Sequence, residues 1–210
     1  MPRIFIVVAA LIVSGCLASL PTSAPAGPSL TESINARVKE LDAFAWTPRR
    51  PLTWKDFRGQ PPRESPAAAE TAYSLLHGVR CVGSAFEFRV LAAFRPEQSW
   101  VRPDILQRPA DSARALRHEQ THFDLTEVHA RRLRRYFTEL VAPCRGSNGD
   151  LSDAATRYVR DEANAQAQYD KETDNGRRAA EQARWDKEVD GQLFSTSKFT
   201  LPGNGKTPGV

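Results

Sequence analysis

The chain lacks the features that mark several large classes of protein. It has no glycine-rich phosphate loop and no internal repeat, which argues against the common nucleotide-binding folds and against solenoids. Its 210 residues are 40% hydrophobic and 26% charged, and this composition excludes collagen, coiled coils and wholly disordered chains. The formal net charge is only +4 and is spread along the chain, so we expect no nucleic-acid partner.

Long hydrophobic runs are also missing, apart from one near the amino terminus. Residues 1–20 place Arg3 ahead of a ten-residue apolar run, followed by small residues around Cys16. This run is too short for a transmembrane helix, which needs about 20 residues, and is typical of a secretory signal peptide. The sequence VSGC at 13–16 resembles a bacterial lipobox. We therefore expect a periplasmic lipoprotein that is acylated at Cys16 and anchored to the membrane through a linker over 21–30.

The alternative is signal cleavage at the small residues 22–24, which would give a soluble secreted protein. Either route leads to a compartment in which disulfides persist. Cysteine is scarce, and without Cys16 only Cys81 and Cys144 remain, so we expect these two to form a disulfide. A catalytic cysteine is the competing interpretation, but it needs a histidine partner that the sequence does not single out.

The mature chain has strand patterns first and helix patterns afterwards. Alternating apolar residues predict strands between residues 71 and 94. Helical spacing predicts four helices, over 31–41, 111–140, 151–173 and 177–193. This order is typical of an α+β fold in which an antiparallel sheet precedes a long helix and two further helices. We assign residues 31–195 to one domain and 196–210 to a disordered tail.

The predicted long helix carries HEQTH at residues 118–122, which matches the H-E-x-x-H pattern of zinc hydrolases. Residues four apart lie on one helix face, about 6 Å from each other, so His118 and His122 can bind one zinc ion. The carboxylate of Glu119 would lie beside the metal, where it can take a proton from the attacking water.

A helical wheel tests this pattern against a chance match. At about 100° per residue, both histidines and Glu119 lie on or beside the apolar face, where a metal cleft must be. The competing interpretation is that His118 and His122 are packed in a helix interface and bind no metal. Four arginines fall mostly on the solvent side of the wheel, where we expect them to attract anionic lipid: Arg131, Arg132, Arg134 and Arg135.

Spacing alone does not choose the third metal ligand, although a catalytic zinc usually has three protein ligands. His129 lies seven residues beyond His122, about 10 Å along the helix axis, and cannot reach the same ion. The next helix offers Glu162 and Asp170, and His77 at the end of a predicted strand is a further candidate.

Several short segments of the chain resemble one bacterial family. They lie between residues 52 and 185 and read LTWKDF, GQPP, AAAET, SW, HEQTHFDLTEVHARRLR, YDKETDNG and QARW. Together they are similar to the bacterial predicted secreted zinc-dependent proteases, a domain-of-unknown-function group with an HExxHFD motif. The resemblance implies a zincin-like fold, zinc at His118 and His122, and Glu119 as the general base.

The resemblance also bears on the third ligand. It implies that Tyr169 and Asp170 belong to the site, which favours Asp170 over Glu162. Members of the family often carry a histidine two residues after the threonine of the last motif, where this chain has Asn175. If that histidine is a metal ligand in the family, Asn175 would leave this chain with a weakened or altered site.

These features predict a cell-envelope zinc metallopeptidase that acts on a peptide or protein substrate. In this hypothesis Glu119 deprotonates the attacking water, and Tyr169 donates to the oxyanion if its hydroxyl faces the cleft. We also expect the strand over 85–94 to present an edge to the extended substrate. The alternative is a non-catalytic, zinc-stabilised envelope lipoprotein that binds peptide or cell-wall material.

Overall fold

The computed structural model describes residues 27–201. The predicted signal peptide, the predicted acylation site at Cys16 and most of the predicted linker lie outside the described residues. The helices are α1 (Leu30–Glu40), α2 (Pro103–Leu106), α3 (Pro109–Glu139), α4 (Asn148–Thr173) and α5 (Ala179–Ser195). The strands are β1 (Phe44–Ala45), β2 (Ala69–Glu70), β3 (Tyr73–Val82), β4 (Ala85–Phe94) and β5 (Trp100–Val101). No helix in the described range is long and apolar enough to cross a membrane.

The fold is α+β with antiparallel strands, as the sequence predicts. One sheet has the order β1-β4-β3, and a separate pair is formed by β2 and β5. The β3–β4 hairpin turns at Gly83, whose φ of 61° is a conformation that glycine adopts without steric cost. β4 is the central strand of this sheet, paired with β3 on one side and with β1 on the other.

All four predicted helices begin at other residues than predicted. The helix α4 begins at Asn148, three residues early, and α5 at Ala179, two residues late, while the starts of α1 and α3 have plain local causes. The helix α1 begins at Leu30, since Ser29 and Glu32 form a capping box with bonds of 2.7 and 3.1 Å. The linker therefore ends at Ser29, one residue earlier than predicted. The helix α3 begins at Pro109, because a proline in the first turn has no N–H that would need a partner.

The long helix α3 is enclosed on more than one side. Toward the sheet it packs against Val90 and Phe94 of β4 through Phe123, Leu133 and Phe137. Toward α4 and α5 it packs through a second cluster of buried residues, namely Leu125, Val128, Tyr169, Trp185 and Val189. A helix buried in this way has little true solvent face.

The enclosure of α3 overturns our prediction for the arginine cluster. Arg131 and Arg134 are buried, and both donate to the buried carboxylate of Glu127, at 2.8 and 3.0 Å. Arg134 also donates to the carbonyl oxygen of Val90 at 2.9 Å. Arg132 and Arg135 are exposed, as the wheel predicts. The prediction for the two buried arginines is wrong because the wheel assumed a single buried side.

The predicted disulfide between Cys81 and Cys144 is present, with 5.6 Å between the two Cα atoms. It joins the end of β3 to the short 3-10 helix that follows α3 (Pro143–Arg145).

The predicted disordered tail begins with an ordered segment. Ser197–Phe199 forms a 3-10 helix, and the carbonyl oxygen of Phe199 accepts a hydrogen bond of 2.7 Å from Arg134. Leu201 packs against the buried cluster of Ile34, Leu91 and Ala93. These contacts fix residues that the composition alone assigned to the tail. Residues 202–210 lie outside the described range.

Candidate metal centre

Three potential metal ligands meet where α3 packs against the last turns of α4. His118 and His122 lie one helical turn apart on α3, and their Nε2 atoms are 3.2 Å apart. Oδ1 of Asp170, on α4, lies 3.1 Å from the Nε2 of His118 and 3.0 Å from that of His122. Both histidines are buried, whereas the Asp170 side chain is 41% exposed. These three residues could hold one metal ion.

A glutamine fixes the ring of His122 from behind. Nδ1 of His122 donates to Oε1 of Gln166 at 2.7 Å. The amide orientation of Gln166 is set because its nitrogen donates to the carbonyl oxygen of His122, at 3.0 Å, and to Glu162, at 2.7 Å. Because the amide nitrogen is engaged by these acceptors, it is the carbonyl oxygen Oε1 that faces the ring, and a carbonyl oxygen can only accept a hydrogen bond. The proton of the imidazole is therefore on Nδ1.

A second glutamine does the same for His118. Nδ1 of His118 donates to Oε1 of Gln182 at 3.1 Å, and the nitrogen of Gln182 donates to Asp186 at 2.7 Å. Asp186 also accepts from Thr121, at 2.7 Å, and forms an ion pair with Arg117. Each histidine thus has an outer partner that holds its orientation and its tautomer, as in known metal sites.

The two Nε2 atoms and the Asp170 oxygen consequently turn lone pairs toward one another. Without a metal, protonation of either ring would let its Nε2 donate to Asp170, and this interaction holds the pKa of Asp170 well below its usual range, although burial opposes the shift. Burial alone would lower the pKa of His122, but Asp170 and Glu119 outweigh it and raise that pKa. A positive charge is therefore favoured where the three atoms meet, and a divalent cation supplies it.

Glu119 lies beside this group and is only 4% exposed. Its Oε2 atom has no hydrogen-bond partner among the described residues. Burial raises the pKa of this carboxyl above its ordinary value, against the opposing effect of the two histidines. A buried polar atom without a partner indicates a group, such as a water or a ligand, that completes the site.

A cavity of about 280 Å³ opens onto the candidate centre. The candidate ligands and Glu119 form part of its lining, and residues 67–71, which include β2, form another part. β2 pairs with β5 on one side, and no described strand pairs with its other side. Our prediction that the strand over 85–94 borders the substrate site is wrong, because β4 lies inside the other sheet and does not line this cavity.

Tyr169 does not meet the condition for the predicted oxyanion role. It is fully buried, and its hydroxyl lies 3.2 Å from the carbonyl oxygen of His118 and 3.0 Å from Oε1 of Gln182. Its ring stacks on that of His118, with 4.7 Å between the ring centroids. Tyr169 therefore positions a candidate ligand from behind and does not face the cavity.

The other candidates for the third ligand stand apart from the centre. Glu162 is buried behind His122, where it accepts hydrogen bonds from Gln166 and Thr126. His77 lies in β3 opposite Val90, outside the ligand group. Asn175 lines the cavity, and its backbone N–H donates to the carbonyl oxygen of Asp170 at 2.9 Å. The three ligands thus come together without a side chain from position 175.

Sequence reasoning missed Tyr73 and the two glutamines. Tyr73 begins β3 and lines the cavity, and its ring lies 6.4 Å from that of His122. Burial and the nearby carboxylates of Glu162 and Asp170 raise the pKa of its hydroxyl. Gln166 was detectable, because it lies one helical turn before Asp170 on α4.

Comparison with known proteins places the chain in a family. Residues 50–177, more than half of the chain, match a family of bacterial proteins of unknown function (DUF922). The matched range contains His118, Glu119, His122 and Asp170. No curated protein and no solved structure gives a significant match. The chain therefore belongs to the bacterial protein family of unknown function DUF922.

Proposed function

We propose that this protein is an exported zinc metallopeptidase of the cell envelope. The observation that carries the proposal is the meeting of His118, His122 and Asp170, with donor atoms 3.0–3.2 Å apart, beside the buried Glu119. Zinc with bonds of about 2.0–2.1 Å in tetrahedral geometry keeps its ligands roughly 3.3 Å apart. Two histidines and one carboxylate are also the protein ligands of catalytic zinc in several peptidases.

Glu119 is the general base in this proposal. A bound zinc would polarise the peptide carbonyl and lower the pKa of the attacking water. The carboxylate of Glu119 accepts the proton of that water and returns it to the leaving amine. Burial raises the pKa of Glu119 toward the operating pH, which suits a group that must both accept and release a proton.

The walls of the cavity suggest how a peptide would lie. We propose that an extended substrate pairs with the open side of β2, opposite the HEQTH segment of α3, as in strand addition. Tyr73 lines the same cavity and takes over the oxyanion role that we first assigned to Tyr169. A helix bearing the motif beneath a short strand is the arrangement expected of a zincin-like fold.

Export and anchoring belong to the same proposal. The disulfide between Cys81 and Cys144 suits an oxidising compartment such as the periplasm. The amino-terminal apolar run ends at the lipobox-like VSGC, so we propose that an acylated Cys16 anchors the domain to the membrane.

The test of this function is the variant Glu119→Gln, which keeps the size of the side chain and removes the base. We expect zinc content equal to wild type and a fall of about 10²–10⁴-fold in hydrolysis of quenched fluorescent peptides. Glu139→Gln, an exposed carboxylate on the same helix, is the matched control and should leave the rate unchanged.

Unchanged hydrolysis in Glu119→Gln would exclude this mechanism. Wild-type protein with full zinc occupancy and no turnover across a broad peptide library would support the non-catalytic binding protein instead.

A further inference from the structure

A second cavity, of about 250 Å³, adjoins the metal cavity. The two share part of their walls, because Ala67, Ala68, Ala115 and Asn175 line both. The proposed function uses only the first cavity. The second lies beyond Asn175, between α2, the first turns of α3 and the loop after α4, and it carries four arginines: Arg102, Arg108, Arg114 and Arg177.

The two cavities differ in the charged side chains that line them. The metal cavity is lined by the carboxyl groups of Glu70, Glu119 and Asp170. The lining of the second cavity has four arginines and one carboxylate, that of Asp111, while Asp104 and Asp174 pair with the arginines from outside the lining. A substrate that spans both would therefore meet, next to the proposed metal centre, a wall whose arginines attract anions.

The arginines are only partly satisfied by their own ion pairs. Asp104 accepts from both Arg102 and Arg108, at 2.9 Å each, and Asp111 pairs with Arg108 and Arg114, at 3.0 and 2.7 Å. Arg177 has a carboxylate of its own, because it donates two hydrogen bonds to Asp174, at 2.9 and 2.8 Å. The other three guanidinium groups share two carboxylates. Each guanidinium has five N–H donors, so several remain for a ligand. The side chains of Arg102, Arg108 and Arg114 are 33–52% exposed and line the cavity.

We propose that this arginine-lined cavity is a substrate subsite for a carboxylate group of the peptide. Arginine binds carboxylates through two parallel N–H···O bonds, and two or three guanidinium groups around one cavity suit such a group. The carboxylate comes from an acidic side chain or from the carboxyl terminus of the peptide. As a substrate subsite the cavity rests on the proposed peptidase function, but its preference for acidic peptides is measurable without catalysis.

The experiment measures binding to zinc-loaded Glu119→Gln protein, so that the peptides stay intact. Fluorescently labelled peptides are compared in two kinds of matched pair: Glu against Gln at each position, and a free against an amidated carboxyl terminus. In one of these two kinds of pair, we expect the acidic peptide to bind about tenfold tighter, or more, than its neutral partner. The preference should shrink as the salt concentration rises.

Variants of the arginines test where the preference comes from. Arg108→Gln and Arg114→Gln, each added to Glu119→Gln, should remove most of the preference and leave the affinity for the neutral peptides unchanged. Arg135→Gln is the matched control, because Arg135 is also an exposed arginine on α3 that pairs with a carboxylate one turn away. It should retain the full preference, and circular dichroism checks that all variants are folded.

A preference in the Glu/Gln pairs identifies an acidic side chain as the ligand, and one in the acid/amide pairs identifies the carboxyl terminus. Equal affinity within all pairs, absence of measurable binding, or a preference that survives in both arginine variants would overturn the subsite. Acid-selective binding by a wild-type protein that hydrolyses nothing would instead refute the peptidase and leave the subsite standing.

Discussion

At the residue scale, Gln166 and Gln182 decide which atoms of the two histidines are free to bind a metal. Each accepts the Nδ1 proton of one ring and leaves its Nε2 lone pair toward Asp170. Glutamine can do this here because its own nitrogen is held by acceptors, Glu162 in one case and Asp186 in the other. The orientation of the ligands therefore rests on side chains that never touch the metal.

Gln166→Leu should weaken zinc binding by about 10–100-fold, because the ring of His122 loses the partner that fixes its orientation. Competition with a chromophoric chelator measures the affinity. Gln168→Leu is the matched control, since Gln168 lies on the same helix, is exposed and bonds only to Glu172. Equal zinc affinity in the two variants would refute a positioning role for Gln166.

His129 is a buried histidine whose protonated form is disfavoured in the folded protein. It is 3% exposed, and neither ring nitrogen has a partner among the described residues. Burial, with a contribution from Arg132, lowers its pKa from 6.5 to about 4. Between these two pH values the unfolded chain binds more protons than the folded one, so stability is full above pH 6.5 and falls as the pH drops toward 4.

We expect His129→Leu to remove this part of the acid sensitivity, which amounts to about 3 kcal/mol between neutral pH and pH 4. Urea unfolding of wild type and variant at several pH values measures the difference. The free energies of unfolding should diverge as the pH falls, with the variant losing less. Parallel pH profiles would show that His129 does not titrate as described.

At the scale of elements, α3 supports both the sheet and the site. The carboxylate of Glu127 binds Arg131 and Arg134. Arg131 also donates to the carbonyl oxygen of Leu193, near the end of α5. Arg134 also donates to the carbonyl oxygens of Val90 in β4 and of Phe199. All three charged side chains are buried. The network thus connects α3 to the sheet, to α5 and to the segment that follows it.

Glu127→Ala should destabilise the protein by about 3–5 kcal/mol, because it leaves two buried arginines without their common partner. Glu139→Ala removes an exposed ion pair from the same helix and should cost less than about 1 kcal/mol. Chemical unfolding monitored by circular dichroism compares the two. Similar losses in both variants would contradict a structural role for the buried network.

The limits of prediction from sequence are clearest in the elements around the site. The spacing of HEQTH places both histidines correctly, because the helical repeat is a local property of α3. Asp170 was favoured only through the family resemblance, since the packing of α4 on α3 is a contact between distant segments. For the same reason the periodicity of β4 gave no sign that β2 would border the cavity.

At the scale of the whole molecule, four separate segments of the chain converge on one region. Residues 67–71 form a wall of the metal cavity, 118–122 and Asp170 supply the donors, and Gln182 holds a ring from behind. The disulfide joins the far end of β3, eight residues from Tyr73. A metal that binds only the folded arrangement would stabilise all of these contacts together.

The measurement that tests the central claim most directly is the metal content of the purified domain. Elemental analysis is made on protein prepared without chelator or metal-affinity tag, for wild type, His118→Ala and Asp170→Ala. We predict about one zinc per chain in wild type and loss of zinc in both variants, because each removes one of three ligands. Absence of metal from wild type after dialysis against zinc, or retention of zinc in both variants, would contradict the account.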